Sequence, residues 1–247
     1  MPEYQHDKIV PFKDSEVSKK EQVAEMFNRI AFRYDFLNHF LCAGIDRGWR
    51  KKAIRELGTI KPDAILDVAT GTADMPVMTM KMLSPRKIVG IDISEGMLDL
   101  GRQKIAKKSL QKFIFLQTGD AENINFPDSS FDGISVSFGV RNFQNLEKGL
   151  SEMYRVLKPG GKLVVLEFSR PEKGFFLPFY TFYLRFITPR IGKVFSGNLE
   201  AYKYLNESVK AFPEGNDFIS ILENSGYRHC YCKKLSLGIC AIYSGLK

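Results

Sequence analysis

The fold is decided by the stretch Ile65-Leu66-Asp67-Val68-Ala69-Thr70-Gly71-Thr72-Ala73-Asp74. An apolar strand opens onto a turn of small residues, after which a helix begins. Small side chains at such a turn let a bound molecule approach the backbone closely. A second apolar run, Ile88-Val89-Gly90-Ile91, ends in Asp92, 21 positions after Gly71. An acid at this place accepts hydrogen bonds from ribose hydroxyls, so the two segments predict an α/β fold that holds a nucleoside-bearing molecule.

Short apolar runs alternate with amphipathic segments through the middle of the chain. Strands are predicted at residues 64–69, 87–92, 113–118, 131–138 and 161–168, and helices at 74–83, 95–107 and 145–157. Continuous apolar strands are typical of a parallel sheet that is covered on both faces. A helix over 216–225 and two strands over 227–234 and 238–245 follow. We therefore predict a Rossmann-like, mostly parallel seven-stranded sheet with an antiparallel last strand, the sheet used with S-adenosylmethionine.

The turn itself argues for the same cofactor. It lacks the dinucleotide fingerprint G-x-G-x-x-G and keeps one glycine, Gly71, beside Ala69, Thr70 and Ala73. A pyrophosphate needs close backbone approach at two glycines. Because S-adenosylmethionine carries no phosphate, alanine can replace glycine at little steric cost.

Acids lie at the ends of three successive predicted strands. Asp67 is expected either to order the turn or to face the amino-acid part of the cofactor, Asp92 to bind the ribose, and Asp120 with Ala121 to lie beside the adenine. Ser137, at the end of the fourth strand, faces the same crevice. Taken singly, each feature has an ordinary structural explanation, such as a tight turn or a charged helix start. Three acids at the carboxyl edge of one sheet favour a binding site.

Composition limits the other possibilities. The chain has 247 residues, 44% of them apolar, and 36 basic against 28 acidic residues give a net charge of +8. No block of five or six like charges occurs, which favours a solvated surface over a nucleic-acid or membrane tract. The polar N-terminus resembles no targeting peptide and no run of 18 apolar residues occurs, so we expect a cytoplasmic protein with reduced cysteines. Cys230 and Cys232 are expected to alternate on a strand, and no metal site is expected.

The predicted organisation is a flexible tail over residues 1–18 and one domain over 19–247, with N-terminal helices within 19–58 and an aromatic, basic insertion at 170–212. Within the insertion, Phe179, Phe182, Tyr183, Phe186 and Ile187 recur at helical spacing. This pattern indicates a helix that lies at a membrane interface or forms a lid over the site. An ordinary buried helix face is the alternative.

Longer segments resemble one family. They are Phe27-Asn28-Arg29-Ile30-Ala31, Gly139-Val140-Arg141-Asn142, Leu166-Glu167-Phe168-Ser169 and Tyr202-Lys203-Tyr204-Leu205-Asn206-Glu207-Ser208. Arg155-Val156-Leu157-Lys158-Pro159-Gly160-Gly161 occurs across many methyltransferases and is less specific. Over about residues 20–245 the chain resembles the demethylmenaquinone and ubiquinone-precursor C-methyltransferases, which have the class I methyltransferase fold.

The resemblance implies methyl transfer from S-adenosylmethionine to a ring carbon of demethylmenaquinol, a polyprenylated naphthoquinol, which gives menaquinol and S-adenosylhomocysteine. A ubiquinone-precursor benzoquinol is the alternative acceptor. The family's cofactor contacts carry over to Thr72, Asp92, Asp120, Ala121 and Ser137. A lipid substrate also implies peripheral contact with the inner face of the cell membrane, while the oligomeric state stays open.

This chain departs from the family pattern at two places. The family turn is commonly glycine-rich where Thr70 and Ala73 stand, and Asp120 stands where asparagine is frequent. An aspartate keeps the hydrogen-bond acceptor for the adenine but loses the amide donor. These changes bear on affinity and not on the identity of the cofactor.

The implied reaction needs a ring of raised electron density, which loss of the phenolic proton supplies. A phenol titrates near pH 10, so a base or a cation that stabilises the phenolate is required. Arg141 is expected to stabilise the phenolate and Asn142 to bond the second ring oxygen, with Glu167 and Tyr202 as base or orienting groups. The alternative for Arg141 is an ion pair with Glu167 that orders the loop.

Two other functions stay open as alternatives. A nucleic-acid methyltransferase fits the charge, but Ser137-Phe138-Gly139-Val140 stands where an N/D-P-P-Y motif is needed and no Pro-Cys pair occurs. We therefore expect no nucleic-acid partner. A noncatalytic cofactor-binding protein shares the fold, and the Arg141-Asn142 and Leu166–Ser169 segments make it the weaker choice.

Overall fold

A computed structural model describes residues 4–41, 44–171 and 199–247, and for residues 33–41, 199 and 202 it describes the backbone alone. Its helices are α1 (Lys19–Leu41), α2 (Ile45–Leu57), α3 (Asp74–Leu83), α4 (Glu95–Lys107), α5 (Leu146–Val156), α6 (Leu199–Ala211) and α7 (Asn216–Asn224). Its strands are β1 (Ala64–Val68), β2 (Lys87–Asp92), β3 (Ile114–Thr118), β4 (Phe131–Ser137), β5 (Leu157–Phe168), β6 (Arg228–Leu235) and β7 (Cys240–Leu246).

The seven strands form one sheet in the order β3-β2-β1-β4-β5-β7-β6. Neighbouring pairs from β3 to β5 are parallel, and β7 runs antiparallel to both β5 and β6. The predicted fold class, with its antiparallel last strand, is confirmed. The strand order reverses between β1 and β4, and ligands of open α/β sheets bind outside the carboxyl ends of the strands at such a point.

Both faces of the sheet are covered, as the apolar strands predict. All five residues of β1 are buried. Leu66 and Val68 pack into the core beneath α5 and α7, whereas Ile65 packs into the core beneath α2 and α3. A central strand buried on both sides fixes the position of the turn that follows it.

The fifth strand begins earlier than the sequence predicts. Leu157 already pairs with Phe131, and a register shift separates this pair from the one between Gly133 and Lys162. The segment Lys158-Pro159-Gly160-Gly161 therefore lies inside β5, where Gly160 adopts a φ of +74°. The backbone groups of Gly160 and Gly161 bond those of Lys247, which secures this bend.

The segment before α1 is packed, which differs from the flexible tail predicted for residues 1–18. His6 is fully buried, and its carbonyl accepts a hydrogen bond from Lys19 Nζ at 2.6 Å. Tyr4 Oη donates to Glu147 at 2.6 Å. The spacing of apolar residues along the chain cannot predict these contacts, because they join a short N-terminal segment to residues that are distant in sequence.

A small apolar cluster lies above the carboxyl edge of the sheet. Its buried members are Val23 and Met26 of α1 and Ala201 and Tyr204 of α6, and Ile9, Phe12, Phe27, Ile30 and Ile93 pack against them. We call this set the cap cluster. It joins the N-terminal segment, α1 and α6 into one cover over the site.

No helix within the described residues is long and apolar enough to cross a bilayer. The predicted helix around Phe179–Ile187 lies outside the described residues. Of the predicted insertion, residues 170, 171 and 199–212 are described, and they include α6.

Candidate active site

A cleft of about 670 Å³, including its open mouth, lies at the carboxyl edge of the sheet beneath α1. The residues that line it come from α1 and from the loops after β1, β2, β3 and β4. They are Lys20, Val23, Phe27, Ala69, Gly71, Asp92, Ile93, Met97, Gly119, Asp120, Ala121, Glu122, Ser137, Phe138, Gly139, Asn142, Phe143 and Gln144. The cleft therefore brings together most of the residues that the strand ends predict.

Asp67 supports the turn after β1 and does not line the cleft. Its carboxylate accepts hydrogen bonds from Thr70 Oγ1 at 2.7 Å and from Ser135 Oγ at 2.5 Å. Of the two roles expected for Asp67, the geometry supports ordering of the turn. Burial raises the pKa of Asp67 to about 6, although the hydrogen bonds from Ser135 and Thr70 oppose the shift.

Asp92 lies in the cleft and is held by backbone amides. Its carboxylate accepts from Gly71 N at 2.8 Å and from Ser94 N at 2.9 Å. Burial raises the pKa of Asp92, and these amide hydrogen bonds oppose the rise. Each oxygen retains a lone pair, so a fixed bidentate acceptor faces the cleft as a ribose diol requires.

The turn keeps a glycine-like backbone with alanine side chains. Ala69, Gly71 and Ala73 have φ values of +53°, +54° and +63°. A positive φ is strained for alanine. It persists only where the packing around the residue enforces it. A Cβ on Gly139 would lie 2.5 Å from the Cβ of Ala69, so a glycine is required opposite this alanine.

The loop after β3 closes one end of the cleft. Asp120 Oδ1 accepts from Glu122 N at 2.9 Å, and Asp120 Oδ2 pairs with Lys20 Nζ of α1 at 2.5 Å. Glu122 lies 3.3 Å from the same ammonium and accepts from the amides of Gln144 and Asn145. Lys20 therefore ties α1 to the loops after β3 and β4.

The remaining predicted cofactor residues differ in their placement. Ala121 and Ser137 line the cleft, and Ser137 Oγ is buried without a hydrogen-bond partner among the described residues. Thr72 does not line it, because its hydroxyl accepts from Lys104 Nζ at 3.1 Å on the α4 side.

Arg141 and Glu167 form a buried ion pair behind the cleft. Arg141 Nη1 lies 2.7 Å from Glu167 Oε1 and donates to the Phe138 carbonyl at 2.7 Å. The structure therefore contains the ion pair with Glu167 that was predicted as the alternative role of Arg141. Burial raises the pKa of Glu167, and the charge of Arg141 opposes the rise. Arg141 Nε and Glu167 Oε2 have no hydrogen-bond partner among the described residues.

Asn142 lines the cleft itself and is oriented from α6. Its Oδ1 accepts from Tyr204 Oη at 3.1 Å. Tyr202 is the residue predicted from this segment, but the described contact comes from Tyr204, two positions later. The side chain of Tyr202 lies outside the described residues.

Two residues of α1 were missed by sequence reasoning. One is Lys20, and the other is Asn28, whose Oδ1 accepts from Ser94 Oγ at 2.7 Å and from Gly96 N at 3.0 Å. Asn28 therefore holds α1 against the start of α4, next to Asp92. The Phe27–Ala31 segment that carries the resemblance contains Asn28, and this was the available signal.

Comparisons by sequence point to one family of methyltransferases. The model of the ubiE/COQ5 methyltransferase family matches residues 15–247. A demethylmenaquinone methyltransferase of Bacteroides fragilis is 43% identical over 99% of both chains. A ubiquinone/menaquinone biosynthesis C-methyltransferase of Geotalea daltonii is 44% identical over 93% of this chain and 97% of the relative.

Solved structures support the fold. A SAM-dependent methyltransferase of Thermotoga maritima superposes with a TM-score of 0.62 at 19% identity, over 91% of this chain and 99% of the other.

Proposed function

The chain belongs to the ubiE/COQ5 methyltransferase family, and we propose on this premise that it methylates the reduced ring of demethylmenaquinol. It is an S-adenosylmethionine-dependent C-methyltransferase of menaquinone biosynthesis, with menaquinol and S-adenosylhomocysteine as products. The observation that carries the proposal is the 43% identity over 99% of both chains with a demethylmenaquinone methyltransferase.

A benzoquinol precursor of ubiquinone is the second candidate acceptor. It is favoured by the 44% identity to a relative whose name includes both ubiquinone and menaquinone biosynthesis. The two acceptors differ by one fused ring, so both belong in the same assay.

The residues of the cleft fit S-adenosylmethionine. Asp92 offers both carboxylate oxygens to the ribose hydroxyls, and Asp120 with Ala121 lies where the adenine is held beside Val23 and Phe27 of α1. The partnerless Ser137 hydroxyl supplies a further polar contact. When bound, S-adenosylmethionine supplies an electrophilic methyl group on its sulfonium.

The acceptor end of the cleft is formed by the residues after β4. Asn142, oriented by Tyr204, hydrogen-bonds a ring oxygen of the quinol. The guanidinium of Arg141 lies behind it and favours the phenolate through its positive charge. Glu167 retains one partnerless oxygen and a raised pKa, which suits a group that accepts the phenolic proton. Tyr202 stays a candidate for orienting the acceptor.

The polyprenyl tail requires the enzyme to meet the membrane surface. The aromatic spacing from Phe179 to Ile187, a segment outside the described residues, favours either a helix at this interface or a lid over the site. We assign the protein to peripheral contact with the inner face of the cell membrane.

A methyl-transfer assay tests the proposed function. Purified protein is given labelled S-adenosylmethionine with chemically reduced demethylmenaquinol in detergent, and with a demethylated benzoquinol in parallel. Label in the naphthoquinol supports the proposal, and the ratio of the two products ranks the acceptors. Label in neither product, from protein that binds S-adenosylhomocysteine, overturns it.

Asn142→Ala tests the acceptor end within the same assay. Loss of a hydrogen bond to the developing phenolate should lower kcat by about 10- to 100-fold, because bonds to charged groups contribute about 1.5 to 3 kcal/mol. The affinity for S-adenosylhomocysteine should stay near that of the wild type. Asn224→Ala, at the exposed end of α7, is the matched control. An unchanged kcat for Asn142→Ala would remove this residue from the site.

A further inference from the structure

A second groove lies on the face of the molecule formed by α2, α3 and α4. It encloses about 1130 Å³, including its open mouth. Its lining includes five cations, Arg47, Lys51, Lys81, Lys104 and Lys108, against the single carboxylate of Asp74. Five positive charges against one leave a net charge of +4, half of the +8 carried by all 247 residues. The groove therefore carries a local excess of positive charge.

The positive charge of the groove is not neutralised from within. Lys104 Nζ pairs with Asp74 at 2.6 Å, which accounts for the one acid. Arg47, Lys51, Lys81 and Lys108 make no ion pair within the described part of the chain. Exposed lysines elsewhere in that part, such as Lys61, Lys107 and Lys148, also make no ion pair, so the feature that distinguishes the groove is that its four unpaired cations line one concave surface. Four uncompensated cations around one concave surface indicate an anionic partner.

The floor of the groove is apolar. Val77, Met78 and Met82 of α3 line it and are half-buried. A partner that contacts both the cations and the apolar floor of the groove must carry negative charge next to apolar surface. An anionic phospholipid surface has both, because its phosphates lie directly above glycerol esters and acyl chains. Nucleic acid supplies the charge, but among the described residues no aromatic side chain lines this groove to stack on a base.

Other occupants are electrostatically unfavourable. Residues 172–198 carry Lys173, Arg185, Arg190 and Lys193 against Glu172, a net charge of +3. A second copy of the chain carries +8. Neither is the complement of a groove with a charge of +4.

The groove is linked to the active site through α2. Arg47 and Lys51 lie one turn apart on this helix and line the groove, whereas Trp49 and Arg50 pack on Phe138, which lines the cleft. The Arg50 guanidinium lies 5.2 Å from the centroid of the Phe138 ring. We infer that the groove between α2, α3 and α4 binds the anionic membrane surface and holds the cleft beside the bilayer that contains the acceptor. The inference rests on the proposed function in that the acceptor is a lipid.

Vesicle sedimentation of the full chain tests the inference. The probes are vesicles of phosphatidylcholine alone and vesicles that also contain phosphatidylglycerol. Wild type should sediment with the anionic vesicles, and added salt should release it. Lys51→Glu/Lys81→Glu should bind these vesicles at least about tenfold more weakly, since each cation near an anionic surface contributes about a fivefold change in affinity.

The matched control is Lys148→Glu/Arg228→Glu. Both residues are exposed and lie on α5 and β6, away from the groove, and the double change lowers the net charge by the same amount. It should retain most of the vesicle affinity. Equal loss in both double variants, no wild-type binding to anionic vesicles, or equal binding to neutral vesicles would each overturn the inference. Binding of the groove to duplex or single-stranded nucleic acid with none to vesicles would also overturn it.

Activity in detergent separates this inference from the proposed function. Lys51→Glu/Lys81→Glu should methylate detergent-dispersed acceptor at the wild-type rate and lose activity only on acceptor in vesicles. Selective loss of vesicle binding in a protein that methylates no quinol would support the groove as a lipid-binding surface and overturn the proposed reaction.

Discussion

Asp92 shows how one residue connects the fold to the binding of a nucleoside. It ends β2, receives the amides of Gly71 and Ser94, and thereby joins the turn after β1 to the start of α4. An asparagine side chain has the same shape, but its NH₂ group replaces one of the two acceptor oxygens. This group then faces either a backbone N–H donor or the ribose. Asp92→Asn should weaken binding of S-adenosylhomocysteine by about 10- to 100-fold, the equivalent of about 1.5 to 3 kcal/mol.

Isothermal titration calorimetry measures this change. Asp99→Asn, an exposed α4 carboxylate that pairs with Arg102, is the control and should bind like the wild type. A Kd for Asp92→Asn within twofold of the wild-type value would remove the ribose role from this carboxylate.

Asp67 makes the stability of the fold depend on pH. Burial raises the pKa of Asp67 from 3.8 to about 6 in the folded chain. Between these two values the folded state holds the proton and the unfolded state releases it, so this group's contribution is lost as pH rises through about 6. The loss amounts to about 2 to 3 kcal/mol, since one pKa unit corresponds to about 1.4 kcal/mol.

Asp67→Asn removes this titration. The wild-type free energy of unfolding minus that of the variant should fall by about 2 to 3 kcal/mol between about pH 4 and pH 7, measured by urea unfolding at both. A difference that does not change with pH would show that Asp67 is ionised throughout this range in the folded chain.

At the scale of the element, α1 acts as the cover of the cofactor cleft. Lys20 reaches Asp120 and Glu122, and Asn28 accepts two hydrogen bonds from Ser94 and Gly96 at the start of α4. Asn28→Ala removes both bonds, each of which contributes about 0.5 to 1.5 kcal/mol. We expect S-adenosylhomocysteine to be released about 5- to 100-fold faster, as measured by stopped-flow displacement.

Glu25→Ala provides the comparison on the same helix. Glu25 is exposed and pairs with Arg29, so its loss should leave the release rate unchanged. Equal acceleration in the two variants would mean that helix stability, and not the bonds of Asn28, limits release.

The elements that were predicted correctly are those with a local signal. β1 and β2 are nearly continuous apolar runs, and the carboxyl ends of parallel strands meet at one edge, so the residues at the strand ends, Asp92, Asp120 and Ser137, could be placed in one cleft. Lys20 and Asn28 could not be placed there, because α1 reaches the cleft through tertiary packing. The spacing of apolar residues in α1 predicts which face of the helix is buried. It does not predict which part of the protein that face packs against.

The predicted role of Arg141 shows the same limit at the acceptor end. The sequence places Arg141 just after the fourth predicted strand and Glu167 at the end of the fifth, which is consistent with both an ion pair and a catalytic pair. The structure shows the 2.7 Å ion pair and adds Tyr204 from α6, 62 positions beyond Asn142. Only the fold brings these residues together.

For the molecule as a whole, the cap cluster and the sheet differ in how much apolar surface they bury. The cap cluster has four buried members within the described residues, whereas the cores on the two faces of the sheet contain many more. Regions with few buried contacts open at lower free energy than the core. We expect the amides of α1 and α6 to exchange hydrogen with one common opening free energy, below that of β1 and β4.

Ligand and mutation test whether the cover opens as one unit. Opening of the cap cluster exposes the cleft, because Val23 lines it and Tyr204 orients Asn142. S-adenosylhomocysteine at about 100 times its Kd should therefore slow exchange in α1 and α6 by the same factor of about 100, while local fraying of α7 stays unchanged. Met26→Ala should accelerate exchange in both helices, since it removes about 2 to 5 kcal/mol of packing, and Met80→Ala on α3 should not. If Met26→Ala accelerates α1 alone, the two helices open separately, and α6 holds Asn142 whether or not α1 covers the cofactor.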